Sequence, residues 1–222
     1  MLTSVKNLVA VIAVIGGLTC GLVHAVEPIP AVVDGNEVWM ITEGNVDPNT
    51  GNAVWLFASN RKYMLANDVV WAVSVEDVNN VEIQMNNKAI RGNWNKEKES
   101  QGISFTNCHN ISVSDGRVVG FSIGVWSAYY STGIRFDGVT SIGIEEGLFL
   151  MCSRGAVEFN DCVFGATEGD GVISHLVVTY GTILVNDCVF VGGTVSSNSK
   201  DVVFQNCEFD SAVGSDYTEI NE

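Results

Sequence analysis

The stretch Phe159-Asn160-Asp161-Cys162-Val163-Phe164 decides how this sequence folds. Versions of it stand at Phe105-Thr106-Asn107-Cys108, at Leu184-Val185-Asn186-Asp187-Cys188-Val189-Phe190 and at Phe204-Gln205-Asn206-Cys207-Glu208-Phe209. Each runs apolar, polar, Asn or Asp, then Cys, and the last three cysteines follow one another at intervals of 26 and 19 residues. A recurrence of roughly 20–30 residues is the mark of a solenoid, in which each repeat covers the apolar face of its neighbour. In stacked parallel coils, equivalent residues lie about 4.8 Å apart, so a polar corner residue can hydrogen-bond its counterpart above and below. Asn and Asp suit such a corner because their short side chains bond local backbone and tolerate left-handed dihedrals.

Strand signals surround the phrase. Val81-Glu82-Ile83-Gln84-Met85 alternates with period two and ends at Asn86-Asn87. Ile111-Ser112-Val113 leads in the same way to Asp115-Gly116 and Val118-Val119-Gly120-Phe121. Further short strands are expected at Gly133–Phe136, Ile142–Ile144, Val157–Phe159, Val172–Tyr180, Ile183–Val185 and Val202–Phe204, with no amphipathic helix between them. A β-sandwich has similar strands, but not a corner phrase that returns in register. The expected fold is all-β, a right-handed single-stranded parallel β-helix of about six to eight coils. It should span residues 62–210, after an N-terminal cap region at 26–61 and before an acidic tail at 211–222.

Lys62-Tyr63-Met64-Leu65-Ala66-Asn67-Asp68-Val69, Asn80 through Gly92, and Cys108 through Phe121 together resemble successive coils of right-handed parallel β-helix repeat proteins, a group similar to pectin lyase-like folds. The resemblance covers roughly residues 62–210. It implies a fold and no single activity, since this group includes lyases, hydrolases, epimerases, adhesins and proteins without known chemistry.

The first 25 residues form a unit of their own. Lys6 precedes the apolar run Leu8–Leu18, and Val23-His24-Ala25 ends on a small residue, the pattern of a cleaved secretory signal. The run is short for a membrane span, so an uncleaved anchor is the competing reading, and Leu18-Thr19-Cys20 is a poor lipoprotein box. Cleavage would take the net charge from −15 to −16, and the protein would be secreted, periplasmic or at the cell surface, with no stable membrane span. So acidic a chain lacks the basic surface that a nucleic-acid partner needs. Solubility accounts for the charge without a specific partner.

Cys108, Cys152, Cys162, Cys188 and Cys207 remain after cleavage, an odd number with no CxxC, which argues against a zinc site and leaves at least one thiol unpaired within the chain. Cys162, Cys188 and Cys207 should stack inward as free thiols that fill space, without a redox role. Parallel neighbours rarely offer the dihedral a disulfide requires.

Four residues are weak catalytic candidates. Asp170 in Gly169-Asp170-Gly171, with His175, faintly resembles a hydrolase site, although the paired Asp, Gly-His-Gly and Arg-x-Lys motifs of hydrolases with this fold are missing, and a turn with a solvent-facing His explains it as well. Arg135 and Asp137 share one side of a strand and could serve β-elimination on an acidic sugar. A lyase would also need Ca²⁺, for which Asp137, Glu145, Glu146 and Glu158 are the available carboxylates, and the simpler reading is a surface ion pair. Otherwise no cofactor or metal is expected.

Aromatic side chains give the better hint, because a flat apolar ring with a polar edge stacks on sugars. All five tryptophans precede residue 130. Trp39, Trp55 and Trp71 are expected to cover the N-terminal end of the solenoid. Trp94 and the run Trp126, Tyr129, Tyr130 are expected in loops, where such folds carry function, as ligand-binding residues for a polysaccharide or cell-surface glycan. Two functions follow, a non-catalytic binding or scaffold protein and, as the alternative, a polysaccharide lyase or glycoside hydrolase acting on an acidic glycan. Oligomeric state is not fixed by the sequence.

Overall fold

Asp34 and Gly35 both have positive φ, 50° and 80°, so the chain opens with a two-residue type I′ hairpin between β1 (Ile29–Val33) and β2 (Asn36–Ile41). This computed structural model describes residues 27–45, 53–93, 100–128, 130–167, 172–192, 194–197, 202–210, 213–214 and 218–220. At 128, 151–154, 172–180, 194–197, 213–214 and 218–220 only the backbone is described.

After β2 the chain winds through β3 (Ala53–Leu56), β4 (Arg61–Leu65), β5 (Ala72–Glu76), β6 (Asn79–Arg91), β7 (Gln101–Thr106), β8 (His109–Val119), β9 (Ile123–Ala128), β10 (Thr132–Gly143) and β11 (Glu146–Arg154). It continues through β12 (Val157–Asn160), β13 (Val163–Ala166), β14 (Val172–Tyr180), β15 (Ile183–Asn186), β16 (Val189–Val191), β17 (Thr194–Ser197), β18 (Val202–Gln205), β19 (Glu208–Phe209), β20 (Val213–Gly214) and β21 (Thr218–Ile220). The product is a parallel β-helix of about six turns. β1 and β2 are antiparallel, whereas every later pairing among the described strands is parallel.

Three faces result. The first runs β2-β4-β6-β8-β10-β12-β15-β18-β21, and the second follows it around a corner through β13, β16 and β19. The third is the eight-stranded sheet β3-β5-β7-β9-β11-β14-β17-β20. Parallel stacking begins at β2 and β3, which pair with β4 and β5, so the first coil starts inside the region assigned by sequence to a cap. Trp39 packs against the core there, beneath the Arg61 guanidinium at 3.7 Å from its ring centre, and Trp55 stacks on Phe57.

Corners explain the repeated phrase. Asp115, Gly138, Asp161, Asp187 and Asn206 have φ between 51° and 63° and sit where the first face turns into the second. Asp161, Asp187 and Asn206 are the residues just before Cys162, Cys188 and Cys207. The copy at Asn107-Cys108 belongs to a different corner, between the third face and the first, where Asp77 is its counterpart and donates nothing but accepts from Asn107 Nδ2 at 2.7 Å. One local sequence thus serves two corners, because both need a left-handed polar residue followed by a small buried one. Cys108, Cys162 and Cys188 are buried, Cys207 is half-buried, and all four are free thiols.

Inside, the aromatic residues of the phrase form a continuous file. Phe136 and Phe159 stack at 5.3 Å, Phe159 meets Phe164 edge-on at 5.2 Å, and Phe190 stacks on Phe209 at 5.2 Å. Such contacts add to the burial of large apolar rings, which is the main stabilising term of the fold.

Candidate functional site

On the third face, alternate residues point away from the core. Val125 and Leu148 are buried, as are Ser127 and Leu150, whereas Trp126 and Phe149 between them are only partly buried. Register pairs Ser104 with Trp126, Trp126 with Phe149, and Phe149 with His175. Trp126 therefore lies in the middle of a strand, not in a loop, and the next two coils place a Phe and a His at the same position. His175 lies within β14, on the strand expected at Val172–Tyr180, in register with Ser196. On the two preceding rungs this position is small, Ser74 and Ser104 approaching through their hydroxyls at 3.1 Å, and on the rung before those it is Trp55. Trp126 and Phe149 thus set rings on adjacent rungs about 4.8 Å apart.

Tyr130 marks the edge of this face. It occupies the corner held by Asp77 and Asn107 in the preceding coils, and its φ is 65°. A left-handed conformation costs a residue other than Gly, Asn or Asp about 1–2 kcal/mol. Tyr130 is nevertheless 54% exposed. Burial of its ring does not repay that strain, and strain of this kind concentrates at functional positions. Trp94, Tyr129 and Asp170 lie outside the described residues.

The acid–base candidates gather differently. Arg135 grips Asp137 through Nε at 2.7 Å and Nη2 at 2.9 Å, and reaches Glu158 on the next coil at 3.5 Å. This is the surface ion pair expected from the strand spacing, extended by one acid. The guanidinium holds the Asp137 carboxyl below its usual range, and the amide of Asn160 adds to the effect. Asp137 in turn raises Arg135 further. An arginine so paired holds its proton and is a poor base for abstracting one from a sugar.

Glu145 and Glu146 do not join this cluster. Glu145 bonds Ser122 Oγ at the turn before the third face, while Asp137 and Glu158 project from the first. The four carboxylates considered for Ca²⁺ are therefore divided between two faces. Among the described residues no group of three or more His, Cys, Asp or Glu side chains converges on a point. The aromatic row escaped sequence reading because its members are one coil apart, and only the pairing register brings them together.

No family model, curated protein or solved structure matches this chain.

Proposed function

We propose that this is an exported, non-catalytic β-helix protein that binds polysaccharide or serves as a surface or structural scaffold. The carrying observation is the register of Trp126 with Phe149, partly buried on adjacent rungs of the third face. Rings held on a rigid sheet lose little entropy when a sugar stacks on them, and strand spacing matches them to an extended chain lying across the coils. Tyr130 at the edge adds an exposed ring with a hydroxyl.

The alternative, a lyase or hydrolase for an acidic glycan, has Arg135 and Asp137 in its favour. Their mutual ion pair and the separation of the remaining carboxylates count against it.

Purified protein is incubated with immobilised neutral and uronic-acid polysaccharides, with and without Ca²⁺, and both retention and new reducing or unsaturated ends are measured. Retention without new ends, lost in Trp126→Ala, is the expected result. Cleavage that disappears in Arg135→Ala or Asp137→Asn would establish the enzyme instead. Neither retention nor cleavage would leave a scaffold without glycan affinity.

A further inference from the structure

At the N-terminal end of the first face, two adjoining depressions of about 440 and 250 Å³ share Asn60, Arg61 and Lys62 as a common wall. Arg61 lies over Trp39, its guanidinium carbon 3.7 Å from the ring centre. Stacking of this kind fixes the plane of the guanidinium and leaves its edge, with the donor fork, pointing sideways. Arg91 is tied to Asp68 at 2.9 Å, Arg135 to Asp137 at 2.7 Å and Lys62 to Glu82 at 2.7 Å. No carboxylate among the described residues lies within ion-pair distance of Arg61. Its other close neighbour is the Tyr63 hydroxyl, which burial pushes up and with which one Arg61 N–H shares a hydrogen bond.

A ladder of amides delivers a further donor to the same wall. Asn110 Nδ2 donates to Asn80 Oδ1 at 2.7 Å, and Asn80 Nδ2 donates to Asn60 Oδ1 at 2.8 Å. The ladder runs donor to acceptor toward the N-terminal end, so its last free N–H groups belong to Asn60, next to Arg61. Successive hydrogen bonds polarise one another and strengthen that terminal donor. Fork and amide thus converge on one groove, in a protein whose overall charge is −15, while the Lys62 ammonium beside them is matched by Glu82. One carboxylate lines each depression, Glu37 the smaller and Glu82 the larger.

We propose that this groove is a binding site for a carboxylate, taken two-pronged by Arg61 with Asn60 beside it. Arg prefers a planar two-oxygen anion in this geometry, whereas a lysine would act only as a point charge. The ligand is either a small free carboxylate or the acid group of a carboxylated sugar. The site is separate from the aromatic row and stands or falls without it.

The test uses the full chain labelled with ¹⁵N at low ionic strength, titrated with acetate, glucuronate and glucose while amide shifts are followed. Glucuronate should move the signals of Asn60, Arg61 and Lys62, and glucose should not. Acetate acting as well assigns the site to carboxylates in general, and glucuronate alone assigns it to a carboxylated sugar. Arg61→Lys should weaken binding about tenfold or more, since charge survives but the fork is lost. Glu37→Gln should tighten it, a gain that misfolding does not mimic, and Trp126→Ala should leave it unchanged. Equal response to glucose and glucuronate, no response to either acid, or an Arg61→Lys variant that binds like the parent would overturn the proposal.

Discussion

Asn160 donates its side-chain amide across one rung to Asp137 Oδ1 at 2.9 Å, and receives the amide of Asn186 in turn at 2.9 Å. The ladder therefore ends on a carboxylate that Arg135 holds from its own strand. Because the folded carboxyl sits below its ordinary value of 3.8, its contribution to stability is complete above that value and disappears as pH falls through the depressed one. Asp137 is 36% exposed, so solvent screening keeps the contribution under about 1 kcal/mol. Carbon-detected NMR titration should find Asp137 titrating below an ordinary aspartate. Arg135→Gln should return it toward the ordinary range with little change in melting temperature.

Tyr130 should be replaceable at a gain in stability. Asp77 and Asn107 fill the same corner with residues that tolerate its left-handed backbone, at φ of 53° and 51°. Tyr130→Asn removes a strained aromatic and should raise stability by about 1 kcal/mol in thermal or denaturant unfolding. Retention on polysaccharide should fall in the same variant. A protein that is both more stable and equally retentive would show that Tyr130 has no part in binding.

Within the cysteine column the thiols are unequal. The backbone N–H of Cys162 donates to Cys188 Sγ at 3.4 Å, and the thiols of Cys162 and Cys188 donate to the carbonyls of Asn160 and Asn186 at 3.2 and 3.1 Å. Contacts with the flanking thiols, and then burial, push Cys188 up. Cys207 is half-buried while Cys108, Cys162 and Cys188 are wholly covered. Peptide-level mass spectrometry after brief alkylation of the native protein should therefore show Cys207 labelled before these three. Uniform labelling would mean that the column opens as a unit.

Much of this architecture is legible in the chain, since a corner is a local event. Asn107, Asp161, Asp187 and Asn206 announce left-handed backbone one residue before a small buried thiol, and the structure gives each a φ near 52°. Which corner is meant cannot be read locally, as the copy at Asn107 shows. The first coil was hidden for a related reason: Val38–Ile41 and Val54–Leu56 carry no Asn-Cys phrase, and only their partners at Tyr63–Leu65 and Val73–Val75 reveal them as rungs. The site is less legible than the fold. Trp126, Phe149 and His175 become one row only after the register is fixed, and Arg61 over Trp39 joins residues on neighbouring rungs.

Gly147 carries the last prediction, because the aromatic row depends on how closely two sheets approach beneath it. It lies two residues before Phe149 on β11, where a Cβ would fall 2.7 Å from the amide nitrogen and 2.8 Å from the carbonyl oxygen of Gly165. Both are backbone atoms, so no side chain can swing aside to make room. Its own carbonyl accepts the buried Ser141 hydroxyl at 2.7 Å, which ties the same point to the second face. Gly147→Ala must push the third face outward or break that bond, and overpacking of this kind costs roughly 1–3 kcal/mol. Denaturant unfolding should show that loss. If the sheet moves, Phe149 moves with it, so retention on polysaccharide should fall even at temperatures where the variant is fully folded. Unchanged stability would mean that the sheets part freely at this level and that the row rests on a softer base than its geometry implies.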